Sequence, residues 1–148
     1  MKTSIITFKY GLFIFLFLSI YFLALEGGAL ADVFVLKLVN LFIVALGVSL
    51  HISEKSKKGN FSYLNLMAFG MRSAVIGITL SVIGLYLYLK FYKDPGYFKT
   101  LSSTLIPANH VIEYCFAIFI EGFSSSIIIV FIMMQYYKNV KSIDKNVK

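Results

Sequence analysis

The sequence predicts an all-α integral membrane protein, a four-helix bundle that crosses a bilayer as one transmembrane domain, 1–148. Hydrophobic residues form 59% of the chain and charged residues 14%, whereas soluble domains are roughly 45–50% apolar and about 25% charged. The mean hydropathy is +0.83. The apolar residues lie in four runs, each near the roughly 20 helical residues that span a hydrocarbon core about 30 Å thick. Lipid is therefore the solvent that this composition matches.

The four predicted helices follow one another with short polar connections. The first ends at Glu26-Gly27-Gly28, and the fourth follows Pro107 and Asn109, a residue that favours a helix start. Beyond the fourth helix, we expect the basic residues 138–148 to form a loose cytoplasmic tail. The predicted helices cover about 5–25, 33–52, 66–92 and 111–137.

The connection between the third and fourth helices is the longest. It begins at Asp94-Pro95-Gly96, a turn or a helix start with proline at its first position. Tyr97, Leu101 and Leu105 then recur every four residues, a spacing that places them on one helical face. A short interfacial helix resting on the lipid headgroups is predicted here.

The first helix has a competing interpretation as a secretory signal. Lys2 and Lys9 precede its apolar run, and Ala29-Leu30-Ala31 before Asp32 resembles a cleavage site. However, the run is long for a signal, and Glu26 separates it from that site. A retained helix is favoured, and cleavage stays as the alternative.

The positively charged residues predict the orientation, because Lys and Arg near the ends of membrane helices stay cytoplasmic. Ten of the 14 lie on one side when both termini are inside, and four on the other. The sequence therefore predicts an N-in, C-in topology. The inner set is Lys2, Lys9, Lys55, Lys57, Lys58, Arg72, Lys138, Lys141, Lys145 and Lys148; the outer set is Lys37, Lys90, Lys93 and Lys99.

A polar stripe on the fourth helix is the first candidate functional site. His110, Glu113 and Glu121 fall on one helical face with Ala117, and we expect that face to look inward. An ionisable group in mid-membrane is expensive and often functional, so Glu121 is a candidate ion or proton site. The structural alternative is a protonated or hydrogen-bonded carboxyl group that holds helices together.

Arg72 in the third helix is the natural partner for Glu121. A buried pair would lower the cost of both charges. The equally weighted alternative is that the Arg72 side chain snorkels to the inner headgroups.

Small residues indicate where helices approach closely. Ser73, Gly77 and Ser81 recur every four residues in the third helix, and Gly122 and Ser126 do so in the fourth. Such spacing permits close backbone contact, and we expect a packing interface between these two helices.

No cofactor is predicted. His110 and Glu113 have the spacing of a helical metal pair, but metal sites need three or four ligands, and His51 and His110 belong near opposite surfaces, too far apart for haem. The single cysteine, Cys115, cannot form an intrachain disulfide. The net charge of +7 lies at helix ends, so it suits lipid headgroups rather than nucleic acid.

Several short motifs resemble small four-span membrane proteins of unknown function from Bacteroidota. They are Lys9-Tyr10-Gly11, Asp94-Pro95-Gly96-Tyr97-Phe98, Ile120-Glu121-Gly122 and the run Phe131–Tyr136. The resemblance covers nearly the whole chain and implies an inner-membrane location, without implying an activity.

The leading functional expectation is a non-enzymatic inner-membrane protein, an accessory or structural subunit of a complex or a homo-oligomer. Its expected partners are the lipid bilayer and other membrane subunits or itself. The alternative is a small ion- or proton-coupled transporter or channel using Glu121, and a third class is an intramembrane enzyme acting on lipid at the His110 and Glu113 stripe.

Overall fold

A computed structural model describes residues 2–28, 34–58, 62–94, 97–101 and 108–146. Within them the chain forms four α-helices and one short 3₁₀ turn, Tyr97–Thr100, and no strand. Each α-helix contains a stretch long and apolar enough to cross a membrane. The prediction of an all-α membrane protein with four spanning helices is therefore confirmed. The helices are α1 (Lys2–Gly27), α2 (Phe34–Lys58), α3 (Tyr63–Tyr92) and α4 (Val111–Asn146).

The helices extend beyond the predicted apolar runs. α2 continues from the expected end at residue 52 to Lys58, and α4 continues past residue 137 to Asn146. The expectation of a loose tail is thus wrong for most of 138–148. The added residues include Lys and Glu but no Pro or Gly, and extending an existing helix is much easier than starting one.

α3 lies at the centre of the bundle. It packs against α1, α2 and α4, and α2 also contacts α1 and α4. α1 and α4 therefore lie on opposite sides of the α2–α3 pair. The start of α1 and the end of α4 lie at the end of the bundle that the basic residues predict to be cytoplasmic, which we name the inner end; the opposite end is the outer end.

The closest helix approach surrounds Ile14 of α1. Its side chain is fully buried and faces Gly47 of α2 and Gly77 of α3. A Cβ atom at Gly77 would lie 2.7 Å from the Cβ of Ile14 and 3.0 Å from the carbonyl oxygen of Gly11. No larger residue fits without movement, so glycine sets the spacing of three helices. The adjoining core is apolar and includes Val44, Val48, Ile52, Leu66, Ala74, Ile129, Val130 and Met134.

Tyr97 and Leu101, in the connection after α3, lie against the bundle instead of on the lipid surface. Leu101 is buried and packs with Leu89, Tyr114 and Cys115, and Tyr97 packs beside this cluster. The prediction of a helical segment here is correct only as one 3₁₀ turn, and Tyr97 and Leu101 of the predicted apolar face contact protein. Leu105, like the cleavage-like segment 29–32, lies outside the described residues.

Candidate functional site

The predicted polar stripe of α4 does not form one inward face. Ala117 is buried and Glu121 is half-buried, whereas His110 and Glu113 are exposed. At the start of α4 the polar residues face outward, and the neighbouring Tyr114 and Cys115 pack in the core instead. The expectation that the whole face from His110 to Glu121 looks inward is therefore wrong.

Glu113 has a structural role at the start of α4. Its Oε2 accepts hydrogen bonds from the backbone N–H groups of Asn109 at 2.7 Å and His110 at 3.3 Å. The first N–H groups of a helix have no partner within the helix, and a glutamate in the first turn often satisfies them. Glu113 therefore caps α4, with its carboxylate engaged by the backbone.

The structure does not pair Arg72 with Glu121. Arg72 is exposed on α3 and makes no ion pair with any described residue. Glu121 lies beside Gly122, which packs on Ile78 of α3, about six residues further along the helix than Arg72. The six residues correspond to roughly 9 Å of helix. The pairing hypothesis is wrong, and the exposed guanidinium fits the snorkelling alternative.

The predicted packing residues are divided between two interfaces. A Cβ atom at Gly122 would lie 3.2 Å from Ile78, as expected for an α3–α4 contact, whereas Gly77 faces α1. The serine hydroxyl groups bond to carbonyl oxygens of their own helix: Ser73 to Gly70, Ser81 to Gly77 and Ser126 to Phe123. Small size, together with this internal bonding, lets the helices approach closely.

A polar cluster that the sequence interpretation missed joins three segments at the outer end. We name Glu26, Tyr88, Lys93 and Tyr97 the outer clamp. The Glu26 carboxylate accepts hydrogen bonds from the Tyr88 hydroxyl at 2.5 Å and the Tyr97 hydroxyl at 3.0 Å. It also pairs with Lys93 Nζ at 2.5 Å. Glu26 thereby fastens the end of α1 to the end of α3 and to the 3₁₀ turn.

The negative charge of Glu26 changes the pKa values of its partners. The carboxylate raises the pKa of Lys93 above its ordinary 10.5 by hydrogen bonding and by charge attraction. Burial, followed by the hydrogen bond to Glu26, raises the pKa of Tyr97 above its ordinary 10.0. Both effects favour protonated partners, which are the forms that donate to the carboxylate.

A second missed cluster lies between α1, α2 and α3 at the inner end. We name Tyr10, His51, Glu54, Lys55 and Phe69 the inner site. The Tyr10 hydroxyl donates to Glu54 Oε2 at 2.5 Å, and the Tyr10 ring stacks on His51 with centroids 4.9 Å apart. Lys55 Nζ lies 4.9 Å from the centroid of the Phe69 ring, a cation–π distance.

Burial distinguishes the inner site from an ordinary helix end. His51 is 0% exposed and Lys55 is 4% exposed, although the sequence places Lys55 among surface lysines. Neither ring nitrogen of His51 has a hydrogen-bond partner in the described part of the chain. An unsatisfied buried polar group costs about 1–3 kcal/mol, so this imidazole is the polar group in greatest need of an explanation.

The sequence indicates the outer clamp and the inner site only weakly. Glu26 marks the end of an apolar run, and His51 and Lys55 are four residues apart, which places them on the same helical face. Their partners lie 14 to 71 positions away, so only the packing of the helices reveals them. No described group of three His, Cys, Asp or Glu residues could hold a metal ion.

Comparison with known proteins adds no relative. No protein-family model, no curated protein and no solved structure matches this chain. The functional argument therefore depends on the geometry.

Proposed function

We propose that this chain is a non-enzymatic multi-pass protein of a bacterial inner membrane, where it acts as an accessory or structural subunit of a membrane complex or as a homo-oligomer. The observation that carries the proposal is the closed apolar packing around Ile14, between the inner site and the outer clamp. A conduction path needs polar groups along its length, whereas the described core around Ile14 is apolar apart from small residues such as Ser73 and Ser126, whose hydroxyl groups bond within their own helices. The described connections are too short to hold a soluble catalytic domain.

Arg72 supports the presence of a partner. It is an exposed cation within the span of α3, and a charge facing hydrocarbon is costly unless it reaches headgroups or an opposite charge. An acidic side chain on a partner helix would supply that charge. Arg72 is therefore the position at which the proposal is tested.

The experiment is purification from native membranes in mild detergent, with native mass spectrometry of the complex. We expect the wild-type protein to leave the membrane with a fixed partner or as a defined oligomer, and Arg72→Gln to release it. Lys9→Gln is the matched control, because Lys9 is an exposed cation of α1 near the inner end and should leave the assembly intact. A stable monomer in both detergent and nanodiscs, without crosslinks to protein in native membranes, would overturn the proposal.

Glu121 supports a second candidate, an ion- or proton-coupled transporter. It is a half-buried carboxyl group within a membrane span. Reconstitution in liposomes tests this candidate: Glu121→Gln should abolish a proton or cation flux, and Glu113→Gln should leave it unchanged because Glu113 caps the helix. Unchanged flux in Glu121→Gln, or no flux in the wild-type protein, would exclude it.

A further inference from the structure

The His51 imidazole is enclosed by three helices. Tyr10 from α1 stacks on one side, and Phe69 from α3 lies with its ring centroid 6.1 Å away. His51 itself belongs to α2 and is fully buried. The Phe69 backbone lies nearby without completing a hydrogen bond to the ring. A change in the charge or hydration of this ring must therefore act on all three helices.

The titratable groups around His51 come from two helices, and the charged ones come from α2. α1 contributes the titratable Tyr10, α2 contributes Glu54 and Lys55, and α3 contributes the uncharged Phe69. The polar contact that α4 makes with α2 at this end joins Tyr137 to Ser49. Lys55 acts on His51 through its positive charge, and Glu54 through its negative charge.

A proton on His51 would change this balance. It would put a second positive charge beside Lys55, in a place that water does not reach. Glu54 offers little relief, because its carboxylate already accepts the Tyr10 hydroxyl. An imidazolium has two N–H donors to satisfy; neither nitrogen has a hydrogen-bond partner among the described residues, and the nearby Phe69 backbone could accept from only one of them. The closed arrangement therefore suits the neutral ring, and hydration would suit the charged one.

We propose that His51 is a proton-binding site that latches the inner end of the bundle, and that a proton taken from cytoplasmic water separates α1 from α2 and α3 there. In this step a ring nitrogen lone pair binds one proton, and the stacked Tyr10 ring moves away so that water reaches the imidazolium. Tyr10 and its hydrogen bond to Glu54 hold α1 in place while the ring is neutral. This latch does not depend on the proposed partner subunit.

The experiment measures the distance between α1 and α3 at the inner end as a function of pH. Spin labels at Ile5→Cys and Leu64→Cys, in a Cys115→Ser background, report it by pulsed electron resonance in nanodiscs. Both positions are exposed, at 64% and 67%, so the labels do not disturb the core. The pH is lowered from about 8 to about 4, a range that brackets ordinary histidine titration near 6.5.

We expect a narrow distance distribution at the upper pH and a longer, broader one at the lower pH. His51→Gln should keep the short distance throughout, because glutamine fills similar space without binding the proton. His110→Gln should behave as wild type; His110 is the second of the chain's two histidines and is exposed. Lys55→Gln should reduce the amplitude, because the repelling charge is gone.

Several results would overturn the latch. One is an unchanged distance in the wild-type protein, and another is acid opening in His51→Gln equal to that of wild type. If His51→Gln fails to form the closed bundle at the upper pH, the His110→Gln protein decides the question. Its remaining histidine is followed by nuclear magnetic resonance, and the titration midpoint of His51 must coincide with the midpoint of the distance change.

Discussion

The outer clamp and the inner site use similar side chains to opposite effect. Each contains a glutamate that accepts a tyrosine hydroxyl, together with a nearby lysine. At the outer end all three partners converge on Glu26 and satisfy it. At the inner end Lys55 faces an aromatic ring and the His51 nitrogens have no bonded partner among the described residues. Fully satisfied polar groups make a region rigid, whereas an unpaired polar group is costly to keep buried.

This difference assigns the two ends different roles. The outer clamp holds α1, α3 and the 3₁₀ turn together at a helix end where water competes for polar groups. The inner site contains the buried His51 imidazole, whose nitrogens have no hydrogen-bond partner among the described residues. We therefore expect the outer end to resist changes in pH through the neutral range and the inner end to respond to them.

The largest expected effect comes from breaking the packing that separates the two regions. Gly77→Leu would force a side chain against Ile14 and the Gly11 backbone, and overpacking of this kind costs about 3 kcal/mol. We expect both ends to loosen together, measured as a lower free energy of unfolding in a denaturing detergent. Gly27→Ala is the control, because a Cβ atom there meets nothing within 4 Å. Equal stability of the two variants would show that the close approach at Ile14 does not hold the ends together.

The next largest effect comes from removing the charge of the outer clamp. Glu26→Gln leaves Lys93 without its anion and weakens the bonds from Tyr88 and Tyr97, at a cost of about 1–2 kcal/mol. We expect a lower unfolding free energy and faster amide exchange at the end of α1, with the inner site unaffected. Asp94→Asn removes an exposed acidic group that follows Lys93 in the chain. It should change neither the unfolding free energy nor the amide exchange. A loss of the same size in Asp94→Asn would mean that general charge, not the clamp, stabilises this end.

Alkaline pH should weaken the outer clamp. The pKa of Lys93 and that of Tyr97 are raised in the folded chain, so their stabilisation is complete below the ordinary values of 10.5 and 10.0. It is lost as the pH rises through the higher, folded values. We expect the free energy of unfolding to fall above about pH 10 in the wild-type protein and to fall less in Glu26→Gln.

The control for this alkaline effect is Lys99→Gln. Lys99 is exposed and belongs to the same connection, so its loss should leave the pH dependence as in wild type. An alkaline fall of equal size in Glu26→Gln would contradict the role of the clamp.

The apolar runs were enough to predict the four spanning helices, because hydrocarbon leaves few alternatives to a helix of about 20 residues. The polar clusters could not be predicted in the same way. Whether Glu113 or Ala117 faces inward depends on where the first turn of α4 lies against α3. Gly77 likewise has the spacing of a packing residue, but its partner, Ile14, belongs to the helix that the sequence interpretation did not choose. Lys55 resembled a loop cation because the apolar run ends before it, although α2 continues and buries it.

The smallest expected effect concerns Glu113, an acidic side chain outside both regions. Its carboxylate accepts the backbone N–H groups of Asn109 and His110, so Glu113→Gln should speed amide exchange at those two positions and fray the first turn of α4. The free energy of global unfolding should stay nearly unchanged, because the residue is exposed and an exposed cap is readily replaced by water. Amide exchange followed by mass spectrometry checks both expectations, with Glu121→Gln as the comparison within the same helix. If Glu113→Gln instead changed the pH response at the inner end, the two ends would be coupled through α4, and their division into a rigid region and a responsive one would fail.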